Sequence, residues 1–302
     1  PLNTGFWSPN DKPKEVFEAY KLAYQAIKEA DPEAWVGGPG FESYDKAKIE
    51  LFLAATVKEG IGVDFLIWHE LHGQTAEIPN HANEIRSIVN QKYPQAGVKE
   101  YHINEIIGPN EAYSPAVALA TFAALEKAQI DYSAKACWSS GDCAIFLDGL
   151  LSSSPEISDN QLRDLLACVE KNECKKEDIL QKYQFVTRPV WWVYKAYADT
   201  NQDTRIQSNI QDQNIIVLAS ISQDQKTIHI LASWNPDTNG KKAPRNLQLK
   251  LSNLTKNVSN AKVKIEKIPA DQNELKEPIV LSDSQSTINN QELLLDLRGL
   301  SK

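Results

Sequence analysis

The ten residues VKEYHINEII, residues 98–107, indicate most clearly how the chain folds. Their apolar and β-prone side chains predict a strand, which Gly108-Pro109-Asn110 then breaks. Glu105 stands near the end of this strand, where a carboxylate is costly to bury. In barrels that alternate strands and helices, the carboxyl ends of the strands carry the catalytic residues. Glu105 is therefore a candidate catalytic residue, with a solvated or ion-paired glutamate as the alternative.

Strands and helices alternate on both sides of this stretch. Apolar spacing and turn signals predict strands at 34–36, 63–68, 98–107 and 130–138, and helices at 14–30, 44–59, 80–92, 115–128 and 188–198. Such alternation predicts an α/β fold with a parallel sheet. A closed (β/α)8 TIM barrel has eight strands, so these four form either a small open sheet or the second half of a barrel.

The pattern changes near residue 203. Short, β-branched and partly alternating segments, among them residues 215–221, follow one another at intervals of about ten residues, separated by turns rich in Asn, Asp, Gly and Pro. This pattern is typical of an antiparallel β-sandwich of about 100 residues. We therefore predict two domains, an α/β domain over 1–202 and a β-sandwich domain over 203–302.

The composition narrows the possible partners. The 302 residues carry a formal net charge of −8, and no basic run occurs, which argues against nucleic acid and anionic membranes. Because no apolar run approaches the roughly 18–20 residues of a membrane helix, no membrane span is predicted. The chain starts with Pro and contains no Met, which we interpret as a start inside a longer protein.

The four cysteines form two pairs, Cys137 with Cys143 and Cys168 with Cys174 as the simplest arrangement. Such clustering predicts local disulfides in an extracellular or periplasmic protein, although three connectivities are possible. Zinc is the rival explanation. The spacing within each pair exceeds the usual two to four residues of zinc motifs, and no His lies nearby.

Polar and aromatic residues follow the predicted parallel strands. His69 and Glu70 end the second strand, Trp138 ends the fourth, and Gly37-Gly38-Pro39 follows the first. A carboxylate, an imidazole and an indole at one edge suit a sugar site, where an aromatic ring packs on the sugar. The alternatives are that His69 and Trp138 are core residues and that Glu70 points away from the edge.

Five segments have the order and spacing of a known family: PLNTGFW at 1–7, AIKEADPEAWVGGPG at 26–40, VDFLIWHELHG at 63–73, YHINEI at 101–106 and TRPVWWVYKAYADT at 187–200. They resemble clan A glycoside hydrolases, most closely family 39, which includes β-xylosidases and α-L-iduronidases. The resemblance implies strands five to eight of a (β/α)8 barrel followed by an accessory β-sandwich. It also implies that Glu105 is the nucleophile and that the acid/base Glu immediately precedes Pro1.

The function implied is retaining hydrolysis of O-glycosidic bonds, β-xylosidase-like or by a related exo-glycosidase, without metal or other cofactor. His69, Glu70 and Trp138 are then candidates for substrate binding. Glu70 is the only partner carboxyl that these strand ends offer within the chain. The resemblance instead implies the residue before Pro1, and on that interpretation the chain alone is expected to be nearly inactive. A non-catalytic carbohydrate-binding or cell-surface protein on the same fold is the main alternative. An unrelated open α/β domain is the third.

Overall fold

A computed structural model provides the structure of the chain. It describes residues 13–71, 75–136, 138, 150–154, 159–175, 177–178, 182, 184–210, 212, 215–234, 245–254 and 258–300. The described part forms two compact units, which lie within Pro1–Ala112 plus Leu119–Trp138 and within Tyr113–Ala118 plus Ser139–Lys302. The domain boundary expected between residues 202 and 203 stays a prediction.

The first unit is built on a four-stranded parallel sheet. Its strands are β1 (Gly37–Phe41), β2 (Phe65–Glu70), β3 (Glu100–Ile106) and β4 (Tyr132–Lys135), and they are neighbours in that order. Helix α1 (Pro13–Ala30) precedes β1, and the connections contain α2 (Lys46–Glu59), α3 (Ile78–Lys92) and α4 (Pro115–Ala128). The α/β fold with a parallel sheet is therefore confirmed.

The core of this unit lies between the helices and one face of the sheet. Leu66, Trp68 and Ile103 are fully buried there, as are Ile49 and Leu53 of α2. The opposite face is more open, and Tyr132 on β4 is 64% exposed. His102 stacks against Phe65 on this open face at a ring separation of 4.5 Å. The two faces follow from the alternation of side chains along each strand.

The first strand is displaced from its predicted position. We expected residues 34–36, which are apolar, whereas the strand is Gly37–Phe41. A Cβ atom at Gly37 would lie 2.1 Å from the Phe65 ring, so only glycine lets β1 approach β2 this closely. The glycines that were predicted to follow the strand are thus part of it.

The described part of the cysteine-bearing region contains regular elements. These are β5 (Leu151–Ser154), α5 (Asp159–Glu170) and β6 (Gln184–Thr187), with β5 and β6 antiparallel. A disulfide joins Cys168, near the end of α5, to Cys174 across a Cα separation of 5.4 Å. Cys137 and Cys143 lie outside the described residues, so their predicted bridge stays a prediction.

The chain then continues into antiparallel strands. Helix α6 (Pro189–Ala198) is followed by β7 (Thr204–Ile206), β8 (Ile215–Ile221), β9 (Ile228–Trp234), β10 (Arg245–Leu251), β11 (Asn260–Lys267), β12 (Ile279–Thr287) and β13 (Leu293–Leu300). The pairing groups are β7-β8-β9, β10-β13 and β11-β12, all antiparallel. The predicted change to antiparallel β-structure after residue 203 is confirmed.

Candidate active site

The carboxyl ends of β2 and β3 bring His69 and Glu105 together. Because both strands are parallel neighbours, their ends lie at the same edge of the sheet, and His69 pairs directly with Glu105. The Nδ1 atom of His69 lies 3.5 Å from Oε2 of Glu105. The Glu105 side chain is 45% exposed, so solvent or a ligand reaches this carboxylate.

A β-bulge in β3 directs Glu105 to the open face. Trp68 pairs with Ile103 and His69 with Glu105, which leaves Asn104 as the extra residue of β3. Ile103 and Ile106 are both buried on the helix side, three residues apart rather than two. In a regular strand Glu105 would share the face of Ile103. The bulge instead places Glu105 beside His69.

The surroundings of His69 favour the neutral form of its imidazole. Burial lowers its pKa from the usual 6.5, while the charges of Glu105 and Glu42 and a hydrogen bond with Asn104 oppose that shift. At neutral pH the imidazole therefore leaves the Glu105 carboxylate uncompensated. Sequence reasoning assigned no role to Asn104 and did not single out Glu42. The three-residue spacing of buried Ile103 and Ile106 was the available signal for Asn104.

Glu70 occupies a different environment from Glu105. Its Oε1 accepts a hydrogen bond of 2.8 Å from the Trp68 indole and lies 2.9 Å from Nδ1 of His81 on α3. The His81 ring stacks on Tyr44 at 3.9 Å. Because alternate strand residues share a face, Glu70 lies with Trp68 on the helix side, away from His69. The structure thus does not bring Glu70 to Glu105.

Trp138 follows β4 at the same edge. Its indole Nε1 donates a hydrogen bond of 2.7 Å to the carbonyl oxygen of Ile107, just beyond β3. The residue is 37% exposed. Trp138 is thus hydrogen-bonded to the residue that follows β3, the strand that carries Glu105. Part of the Trp138 side chain is accessible to solvent.

The described residues contain no cluster of three or more His, Cys, Asp or Glu side chains arranged to hold a metal ion. Among the helices that the structure describes, none combines the length and apolar character needed to cross a membrane.

Solved structures with the same fold are glycoside hydrolases in several cases. A β-xylosidase from Caulobacter crescentus matches at a TM-score of 0.59 and 15% identity, over 99% of this chain and 65% of its own. A glucosidase from Croceicoccus marinus matches at 0.60 and 16%, over 95% and 62%. A family 44 xyloglucanase from Paenibacillus polymyxa matches at 0.56 and 13%, over 96% and 60%.

A further similar structure, N2152 from Neocallimastix frontalis, has a TM-score of 0.68 and 21% identity, over 94% of this chain and 62% of its own. No protein-family model and no curated protein sequence matches the chain. The chain spans between 60% and 65% of the length of these four structures. The resemblance to clan A glycoside hydrolases is therefore confirmed for the fold, and family 39 is not distinguished from its relatives.

Proposed function

We propose that this chain carries the nucleophile of a retaining glycoside hydrolase, and that Glu105 is that nucleophile. The observation that carries the proposal is the accessible Glu105 carboxylate beside His69 at the carboxyl edge of the parallel sheet. The neutral imidazole leaves the negative charge of the carboxylate available for attack. Carbohydrate is the corresponding partner, and the chemistry requires neither a metal nor another cofactor.

In the proposed reaction Glu105 attacks the anomeric carbon as the glycosidic bond breaks. A second carboxyl group protonates the leaving oxygen, and an ester then joins the sugar to Glu105. In the second step the same carboxyl group removes a proton from water, which displaces Glu105 and releases the sugar. The two carboxyl groups of such a pair lie about 5–5.5 Å apart. His69, Asn104 and Trp138 border the position that the sugar would occupy.

The second carboxyl group is proposed to precede Pro1, as the resemblance implies. Glu70 is a poor candidate because its Oε1 is engaged by Trp68 and His81 on the helix side of the sheet. The position of Glu70 in the sequence led us to expect a direct contact with substrate. For the same reason this contact has less support than those of His69 and Trp138. Coverage of 60–65% of four similar structures supports a catalytic unit larger than this chain.

We further propose that the parallel strands are strands five to eight of a (β/α)8 barrel, with residues 203–302 as an accessory β-sandwich. The open face of the sheet, where Tyr132 is 64% exposed, is the face that a closed barrel would cover. A disulfide between Cys168 and Cys174 is compatible with an extracellular or periplasmic location.

Replacement of the nucleophile tests the proposal. In the complete protein that contains this chain, Glu105→Gln should lower the hydrolysis of aryl glycosides by at least about 10³-fold. Glu105→Ala in sodium azide should regain turnover and yield a glycosyl azide of inverted anomeric configuration, measured by proton NMR. The matched control is Glu100→Gln, which changes the same residue type about 17 Å away on the same strand.

Glu100→Gln should retain activity. Hydrolysis that survives Glu105→Gln would exclude Glu105 as nucleophile. A complete protein that binds oligosaccharides in calorimetry but hydrolyses none would favour the carbohydrate-binding alternative.

A further inference from the structure

Ile107 adopts a backbone conformation that β-branched residues rarely occupy. Its φ is +65°, in the left-handed region, two residues after Glu105. The branched side chain makes this conformation unfavourable, so contacts around the residue must hold it. Such positions concentrate at functional sites, and here the position lies at the end of the strand that carries the candidate nucleophile.

Three contacts hold this turn. The amide of Ile107 donates to the carbonyl oxygen of Glu70 at 3.3 Å. The carbonyl oxygen of Ile107 accepts from the Trp138 indole at 2.7 Å. Gly108 packs so closely on β2 that an added Cβ would lie 2.2 Å from the carbonyl oxygen of Leu71. The ends of β2, β3 and the segment after β4 therefore fix the turn jointly.

We propose that Trp138 is a positioning residue for Glu105. Its indole N–H holds the carbonyl of Ile107 and so keeps the turn left-handed. The turn fixes the end of β3 and with it the direction in which the Glu105 carboxylate projects. This inference rests on the proposed function of Glu105, and it assigns the N–H edge of Trp138 a role distinct from packing of its ring on a sugar.

The test distinguishes the role of the Trp138 N–H group from that of its aromatic ring. Trp138→Phe keeps an aromatic ring and removes the donor, and we expect kcat to fall about tenfold to a hundredfold with KM changed less than about threefold. Adding Ile107→Gly to Trp138→Phe should restore most of kcat, because glycine occupies a φ of +65° without steric cost. Ile107→Gly alone removes a buried side chain and should lower stability, so its kcat is measured as the reference for the double variant.

The chain offers a matched control in Trp192. Its indole Nε1 also donates to a backbone carbonyl at 2.7 Å, that of Leu275, in the other compact unit. Trp192→Phe removes a hydrogen bond of the same kind and length and should leave kcat unchanged. All variants are made in the complete protein and assayed on one aryl glycoside.

Two outcomes would overturn the proposal. A Trp138→Phe variant with raised KM and unchanged kcat would leave Trp138 as a binding surface alone. If Ile107→Gly does not reverse the fall in kcat, Trp138 does not act on Glu105 through the backbone of Ile107.

Hydrogen exchange of the Ile107 amide distinguishes a failure of this inference from a failure of the proposed function. Trp138→Phe should accelerate that exchange, and Ile107→Gly should reverse the acceleration at the amide of residue 107. If exchange behaves in this way while Glu105→Gln remains active, the turn is held as proposed but Glu105 is not the nucleophile. If exchange is unchanged in Trp138→Phe, the positioning role is wrong whatever Glu105 does.

Discussion

The ends of β2 and β3 each carry a glutamate, and the two side chains lie in opposite layers of the molecule. Glu70 is 12% exposed, and its carboxylate contacts the Trp68 indole and His81. Glu105 is 45% exposed and lies beside a neutral imidazole. Oε1 of Glu70 is engaged by two protein groups, whereas nearly half of the Glu105 side chain is open to solvent.

The difference arises from backbone geometry rather than residue type. Side chains alternate regularly along β2, so Glu70 lies on the same buried face as Leu66 and Trp68. Strand β3 carries a bulge at Asn104, so Glu105 leaves that face. A single extra residue in β3 thus gives the two glutamates different surroundings.

The largest effect expected on stability distinguishes the two glutamates. Glu70→Ala leaves the buried Trp68 indole and His81 without their acceptor, and should lower the free energy of unfolding by about 2–3 kcal/mol. Glu105→Ala removes an accessible charge and should change it by less than about 0.5 kcal/mol. Urea denaturation followed by circular dichroism measures both. Equal losses would mean that the two carboxylates contribute alike to folding.

A smaller effect is expected where the end of β3 contacts β2. Gly108→Ala would place a Cβ 2.2 Å from the Leu71 carbonyl oxygen, a backbone atom that cannot easily move. The free energy of unfolding should fall by about 2 kcal/mol. Gly97→Ala is the control, because it has open space around it but a φ of +75°, and it should lose only about 1 kcal/mol. A Gly108→Ala variant no less stable than Gly97→Ala would show that the close approach is easily relieved.

Much of the parallel sheet was predictable because each element carries local signals. Helix α4 has its predicted bounds of 115–128, and the Ser114 hydroxyl accepts from the amide of Val117 as an N-terminal cap. Strand β8 also has its predicted bounds of 215–221. In both cases apolar periodicity and flanking turn residues define the element without reference to the rest of the chain.

The remaining features depend on contacts between distant residues. The apolar run before β1 suggested an earlier strand, whereas the fit of Gly37 against Phe65 decides the pairing. Likewise β10 pairs with β13 across the β11-β12 hairpin, a choice that no local pattern specifies. Glu70 and Glu105 both appear at strand ends in the sequence, and only the bulge separates their faces. Single-sequence periodicity could not reveal that one of them is engaged by His81.

The smallest expected effect concerns the proton balance of His69. Because burial lowers its pKa below 6.5, the unfolded chain takes up a proton at this residue before the native protein does. The native protein therefore loses stability as the pH falls from 6.5 toward the lowered native pKa, and the contribution is absent above that range. His69→Gln should reduce this loss. As the pH is lowered from 7.5 to 5.5, the free energy of unfolding of the variant should therefore rise relative to that of the parent protein.

Urea denaturation at the two pH values measures the change, and the imidazole proton signal of His69 in NMR gives its titration midpoint directly. A midpoint at or above 6.5 would mean that Glu105 and Glu42 outweigh burial. If the midpoint lay above neutral pH, the imidazole would be mainly charged there and would compensate the Glu105 carboxylate. In that state Glu105 would resemble Glu70, a carboxylate engaged by a protein donor, and its suitability as a nucleophile would be reduced. The titration of this one imidazole therefore decides how different the two strand ends are.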